Sequence, residues 1–113
     1  MQLLMTPEGK KVQVNLREDL CLYDSPHNPP NTGTEYTSGS DLYYHKTRSG
    51  RGYFYTYYWS MWEGEQSCYT LVTEDEAKSF ILHRATLTRL VSDGVNESNC
   101  SSLWGEDFFG EDA

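Results

Sequence analysis

The histidines and cysteines are the residues best able to bind a metal or act as nucleophiles. The three histidines, at positions 27, 45 and 83, are not joined by any His-x-x-x-His or His-Glu-x-x-His spacing, and such a spacing is what a metal site on a helix needs. The three cysteines, at positions 21, 68 and 100, are odd in number and contain no Cys-x-x-Cys pair. We therefore expect reduced thiols, no disulfide framework, no metal and no cofactor.

Other catalytic patterns are equally weak. Residues 48–52 contain two glycines but lack the Lys-Ser/Thr ending of a phosphate-binding loop, and they open a strand rather than a helix. They are typical of a hairpin turn. A Cys nucleophile with a His base stays open, because such partners meet in space rather than in sequence. Nothing in the sequence favours an enzyme, and we expect a non-enzymatic protein.

The most distinctive stretch is residues 42–62, which holds nine of the sixteen aromatic residues and no Asp or Glu. Tyr, Phe, Trp and Thr suit a pleated strand, so the stretch predicts a β-hairpin with strands near 42–47 and 52–62. Side chains alternate along a strand. The second strand therefore has two faces. We expect the face with the following residues to be core: Tyr53, Tyr55, Tyr57, Trp59 and Met61.

The opposite face of that strand would display large rings separated by Thr56 and Ser60. With the neighbouring cations, it is the predicted binding surface, which comprises Phe54, Tyr58, Trp62, His45, Lys46, Arg48 and Arg51. The alternative is that a helix or loop covers this face, which would make its rings ordinary core residues.

Charge limits the classes of partner. The net charge is −8 and the sequence pI is about 4.7, which disfavours double-stranded nucleic acid and anionic membranes and is compatible with a basic protein partner. No run approaches the roughly 20 apolar residues of a membrane span, and the N-terminus lacks the features of a signal peptide. The sequence therefore predicts a cytoplasmic protein without a membrane partner.

The remaining elements predict an α+β fold, with an antiparallel sheet of about five short strands (two hairpins, or a meander) and one helix packed on it. A hairpin is expected over 2–16, a short strand over 20–23, a long loop over 24–41 and a strand over 67–72. Thr73 and Glu76 form a capping-box pattern that starts a helix over 74–85. Residues 1–92 would be a single domain.

Residues 93–113 contain six acids, no Lys or Arg, and three rings. This composition resembles that of disordered segments that order on a partner, so we expect a mobile, acidic, aromatic C-terminal tail.

The function expected from these features is that of a small acidic protein-binding module, such as an inhibitor of a nucleic-acid-handling complex whose carboxylates stand in for phosphates. The alternative is single-stranded nucleic-acid binding through the aromatic and basic hairpin 42–62, where rings stack bases and Lys or Arg contacts phosphates. Carbohydrate stacking on Trp59 or Trp62 is a third possibility.

Overall fold

The computed structural model describes residues 2–26, 38–61, 64, 66–87 and 89–110. Its strands, in chain order, are β1 (Gln2–Met5), β2 (Lys11–Val14), β3 (Leu20–Tyr23), β4 (Ser38–Lys46), β5 (Gly52–Ser60) and β6 (Cys68–Val72). Its helices are α1 (Glu74–Ala85), α2 (Arg89–Ser92), α3 (Glu97–Trp104) and a 3₁₀ helix, Glu106–Phe109. The predicted α+β class is correct at this level, and the described helices are more numerous than the one that was predicted.

The larger sheet has four antiparallel strands in the order β3-β4-β5-β6. The central hairpin pairs β4 with β5 without interruption, from Ser38 opposite Ser60 to Lys46 opposite Gly52. This confirms the predicted hairpin, whose first strand begins earlier than expected. β6 pairs with β5 from Phe54 opposite Val72 to Tyr58 opposite Cys68, which confirms the meander.

The first hairpin forms a sheet of its own. β1 pairs with β2 in a two-stranded sheet and packs across one face of the larger sheet. Val12 and Val14 lie against Tyr55 in a buried cluster. The prediction of one sheet of about five strands is therefore corrected to sheets of two and four strands, because the hairpin buries its alternating valines against a sheet face instead of pairing at an edge.

Helices cover the other face of the larger sheet. Thr73 and Glu76 form the predicted capping box, with Glu76 N donating to Thr73 Oγ1 at 3.1 Å and Thr73 N donating to Glu76 Oε1 at 3.1 Å. Ala77 and Ile81 point into the core and are both fully buried. The α1 helix thus positions an apolar stripe over the sheet, as its residue spacing predicts.

The C-terminal segment packs on this second core instead of being mobile. Val95 bridges to Tyr23, and Cys100 in α3 is fully buried. Trp104 stacks on Phe54 with ring centroids 5.6 Å apart. The expected mobility is therefore wrong for residues 95–109, because the rings that resemble a partner-docking motif find their apolar surface within the same chain.

Residues 27–37 of the predicted 24–41 loop lie outside the described part of the chain, and residues 38–41 belong to β4. The two ends of this loop are joined by a buried network. Ser25 Oγ donates to Asp41 Oδ1 at 2.6 Å and accepts from Trp59 Nε1 at 2.6 Å, and Ser25 N donates to the same carboxylate oxygen at 2.8 Å. Each buried polar group is thereby satisfied.

Gly39 is tightly packed against this network. A methyl group on Gly39 would lie 2.6 Å from Ser25 Oγ and 3.2 Å from the Trp59 ring. Gly39→Ala is therefore expected to lower the free energy of unfolding by about 1–3 kcal/mol, because Ser25 must move away from its partners. Urea unfolding followed by circular dichroism measures this change. The neighbouring Ser38→Ala, at an exposed position, is the control, and equal stability of the two variants would contradict the prediction.

Among the helices that the structure describes, none combines the length and the apolar character that crossing a bilayer would need.

A candidate cationic binding site

The sequence predicts that one face of β5 is core and the other is exposed, but the structure buries residues on both faces. Tyr55 and Trp59, on the face expected to be core, are buried with 0% and 8% exposure. Phe54, on the face expected to be displayed, is also buried, with 5% exposure. The expectation that Phe54 is accessible is therefore wrong, and the physical reason is that the sheet is the middle layer, with the first hairpin on one side and the helices on the other.

The rest of the predicted surface has mixed outcomes. Tyr58 is half-buried and makes interactions within the protein, and Trp62 lies outside the described residues. Lys46, Arg48 and Arg51 are exposed. The cationic part of the predicted surface is therefore accessible, whereas the described rings Phe54 and Tyr58 do not form an open ribbon.

The exposed cations of the central hairpin are joined by two lysines of the first hairpin. One cavity, of about 340 Å³, is lined by Lys11, Lys46 and Arg48, and a second, of about 350 Å³, is lined by Lys10, Lys11 and Arg51. The cavities share Lys11, Val12 and Thr47. We call this group the cationic corner; its members are Lys10, Lys11, Lys46, Arg48 and Arg51.

Two turns of the same design build the corner. In the turn 6–10, Thr6 N donates to Lys10 O at 2.8 Å and Lys10 N donates to Thr6 Oγ1 at 3.1 Å. In the turn 47–51, Thr47 N donates to Arg51 O at 2.8 Å and Arg51 N donates to Thr47 Oγ1 at 3.1 Å. Each turn therefore holds a basic residue at the same position.

A glycine makes each turn possible. Gly9 and Gly50 have φ values of 85° and 91°, in the left-handed region that side chains with a Cβ disfavour. The shared sequence is Thr-x-x-Gly followed by Lys or Arg. This repeat is the sequence signal that places Lys10 and Arg51 at equivalent positions of two similar turns. The prediction from the sequence missed it.

The turns also lie near each other in space. The pKa of the Glu8 carboxyl is lowered, first by a backbone hydrogen bond and the Thr6 hydroxyl, and further by the positive charges of Lys10 and Arg51. An effect of Arg51 on a residue of the first turn requires the two hairpin ends to be neighbours. The two cavities also share lining residues from both hairpins, which places the two turns beside each other.

The overall charge distribution makes this corner distinct. Residues 1–51 contain six Lys or Arg and six Asp or Glu, whereas residues 52–113 contain three and eleven, so the net charge of −8 belongs to the second part. Five of the nine Lys and Arg residues are in the corner. Glu8, Glu18 and Asp19 are the acids beside these five cations, so cations outnumber acids at the corner, and such a local excess creates a positive potential on an acidic protein.

A buried carboxylate lies beneath the corner. Asp19 has a side chain only 6% exposed, and its Oδ2 accepts from both Tyr55 OH at 2.6 Å and Asn15 N at 2.9 Å. His45 Nδ1 lies 2.7 Å from Asp19 Oδ1. Burial, followed by the contact with Asp19, raises the pKa of Tyr55 well above its usual range, so this phenol stays a hydrogen-bond donor.

This network fixes the orientation of His45. A carboxylate at Nδ1 leaves Nε2 as the imidazole atom available to other groups, and Nε2 has no hydrogen-bond partner within the described part of the chain. An Asp–His pair of this kind also orients general bases. A base needs a hydroxyl or thiol within reach, and none of the described hydrogen bonds links such a group to His45.

Two of the three cysteines are poor candidates for nucleophilic catalysis. All three are free. Burial raises the pKa of Cys21 and of Cys100 to about 11 in each case, so both remain thiols at neutral pH, whereas the thiolate is the nucleophile. In the described ranges, no group of three or more His, Cys, Asp or Glu side chains is arranged to hold a metal ion.

Comparisons with protein-family models, with curated proteins and with solved structures give no match. The function therefore has to be inferred from the site itself.

Proposed function

We propose that this protein is a small non-enzymatic binding module that captures an acidic segment of a partner protein on its cationic corner. The observation that carries the proposal is the convergence of five cations from two hairpins on one exposed corner of a chain with a net charge of −8. Charge complementarity of this kind steers association and selects partners.

The C-terminal segment gives less support to the converse arrangement, an acidic tail on a basic partner. Its apolar residues Leu103, Trp104, Phe108 and Phe109 pack against the core of the same chain. The rings that would have anchored a partner are therefore packed within the chain itself. Exposed carboxylates at the rim of an interface contribute little affinity without such anchors.

Single-stranded nucleic acid is the second candidate. The half-buried Tyr53 lines the cavity formed by Lys10, Lys11 and Arg51, and a ring beside cations is the arrangement that holds stacked bases and phosphates. Two features favour the protein partner. Tyr55, the next ring on the face of β5 that carries Tyr53, is fully buried, so consecutive stacking positions are lacking on that face, and the net charge of −8 repels a long polyanion.

The binding test compares two double variants of equal charge. Lys46→Gln with Arg48→Gln removes two corner cations, and Arg17→Gln with Lys78→Gln removes two cations outside the corner. Fluorescence anisotropy of a labelled Glu-rich peptide at low salt should show roughly 2- to 30-fold weaker binding for the corner variant, since each of the two exposed contacts is worth about 0.2–1 kcal/mol. The control variant should change little.

The outcomes separate the candidates. Equal losses in the two double variants would show that net charge alone attracts the peptide and would contradict a defined site. No binding of the Glu-rich peptide, together with salt-dependent binding of a single-stranded oligonucleotide, would support the second candidate instead.

A further inference from the structure

We infer that the cavity beside His45 is a site for a phosphate monoester, so that the acidic segment recognised at the corner carries a phosphorylated side chain. This inference rests on the proposed function and names its ligand class. The cavity has a volume of about 340 Å³, which is large enough for a phosphate group and part of the peptide that carries it.

Three cations from two separate hairpins line this cavity. Lys11 comes from β2, Lys46 from the end of β4, and Arg48 from the turn that follows. A phosphate dianion offers three strong acceptor oxygens. An Arg guanidinium can bind two of them at once, and lysines act as point charges from other directions. A single carboxylate would satisfy fewer of these donors.

Only the protonated form of His45 adds a donor with a fixed direction. Asp19 holds Nδ1 at 2.7 Å, so in the imidazolium form the Nε2–H is the donor left for a ligand oxygen. The other charged groups around the ring are Asp19 and Glu18 on the 15–19 turn, Lys11, Lys46 and Arg48. The Asp19 carboxylate already accepts from Tyr55 and Asn15. It therefore opposes a bound anion less than a free carboxylate would.

Glu18 is the group that opposes an anion. It lines the same cavity and is exposed. This residue gives a test by gain of binding, because Glu18→Gln removes a repulsive charge without disturbing a buried contact. A gain cannot result from loss of the fold, so the test stays informative if another variant is unstable.

The experiment uses three labelled peptides of one acidic sequence, which carry phosphoserine, glutamate or serine at a single position. Anisotropy titrations of the full chain are expected to show binding of the phosphoserine peptide about tenfold tighter than binding of the glutamate peptide. Glu18→Gln should strengthen phosphopeptide binding by roughly two- to fivefold. Lys11→Gln and His45→Gln should remove most of the preference for phosphoserine, and Lys78→Gln should keep it.

Inorganic phosphate supplies a second measurement. On its addition at constant ionic strength, the ¹⁵N resonance of His45 Nε2 should shift, and the amide resonances of residues 11–13 and 45–48 should shift with it. Equal affinity for the phosphoserine and glutamate peptides would overturn the phosphate site while leaving the proposed function intact. Failure of all three peptides would overturn both. Tighter binding of a 5′-phosphorylated oligonucleotide than of the phosphopeptide would assign the phosphate to nucleic acid and reject the phosphoprotein partner.

Discussion

Trp104→Ala is expected to lower the free energy of unfolding by about 3 kcal/mol, within the range found for removing a large ring from a core. The Trp104 ring stacks on Phe54 at 5.6 Å and contacts Phe108 at 4.6 Å, and Lys78 Nζ lies 5.8 Å from its centroid. Removing it would delete the ring contacts that α3 makes with the sheet and with the 3₁₀ helix at this point. Urea unfolding followed by circular dichroism measures the change.

Trp104→Phe separates the effect of the ring from that of its polar atom. The indole Nε1 is buried, and no acceptor for it lies among the described residues, so its burial costs on the order of 1–3 kcal/mol. Phenylalanine keeps a ring against Phe54 and deletes this N–H. We expect Trp104→Phe to be much less destabilising than Trp104→Ala.

Ser102→Ala, at an exposed position of the same helix, is the matched control. If Trp104→Ala were as stable as this control, the C-terminal segment would not be a packed part of the domain. The original expectation of a mobile tail would then be restored.

Features set by nearby residues could be predicted from the sequence. The capping box of Thr73 and Glu76 spans three residues, and the central hairpin follows from β-forming residues on either side of a glycine-containing turn. The alternation along β5 also correctly divided its residues between two faces. Such features depend on backbone and neighbour interactions that the local sequence contains.

The environment of each face could not be predicted, because both layers that cover the sheet come from distant segments. Val14 covers Tyr55 from 41 residues away, and Trp104 covers Phe54 from 50 residues away. Both faces of β5 are rich in rings, so periodicity alone gives no basis for choosing one as core. The sequence therefore located the hairpin correctly but misplaced Phe54 on an open surface.

For the same reason, only part of the candidate site could be predicted from the sequence. Lys46, Arg48 and Arg51 are neighbours in sequence and were predicted together, whereas Lys10 and Lys11 join them through the packing of a separate hairpin. The Asp19–His45 contact joins residues that are 26 positions apart. No spacing rule for a metal or catalytic motif covers such a pair.

Asp19→Ala is the second substitution for which we expect a large effect, a loss of about 3 kcal/mol in the free energy of unfolding. The fully buried Tyr55 would keep its hydroxyl but lose the acceptor at 2.6 Å, and Asn15 N would lose its acceptor at 2.9 Å. Unsatisfied buried donors carry their full desolvation cost. Urea unfolding at neutral pH measures the loss.

Tyr55→Phe identifies the source of that cost. In the wild-type background it removes one hydrogen bond and should cost about 1 kcal/mol. In the Asp19→Ala background it removes a hydroxyl that no longer has its acceptor, so it should be neutral or stabilising. A double-mutant cycle therefore gives a coupling between the two side chains of about 1–3 kcal/mol.

Glu18→Ala provides the control for this cycle, because it removes a carboxylate from the same turn at an exposed position. Exposed substitutions of this kind usually change stability by about 0.5 kcal/mol or less. If Asp19→Ala were no more destabilising than Glu18→Ala, the buried network would not hold this turn. His45 would then lack the partner that directs its Nε2 towards a ligand, and the geometric basis of the phosphate site would be lost with it.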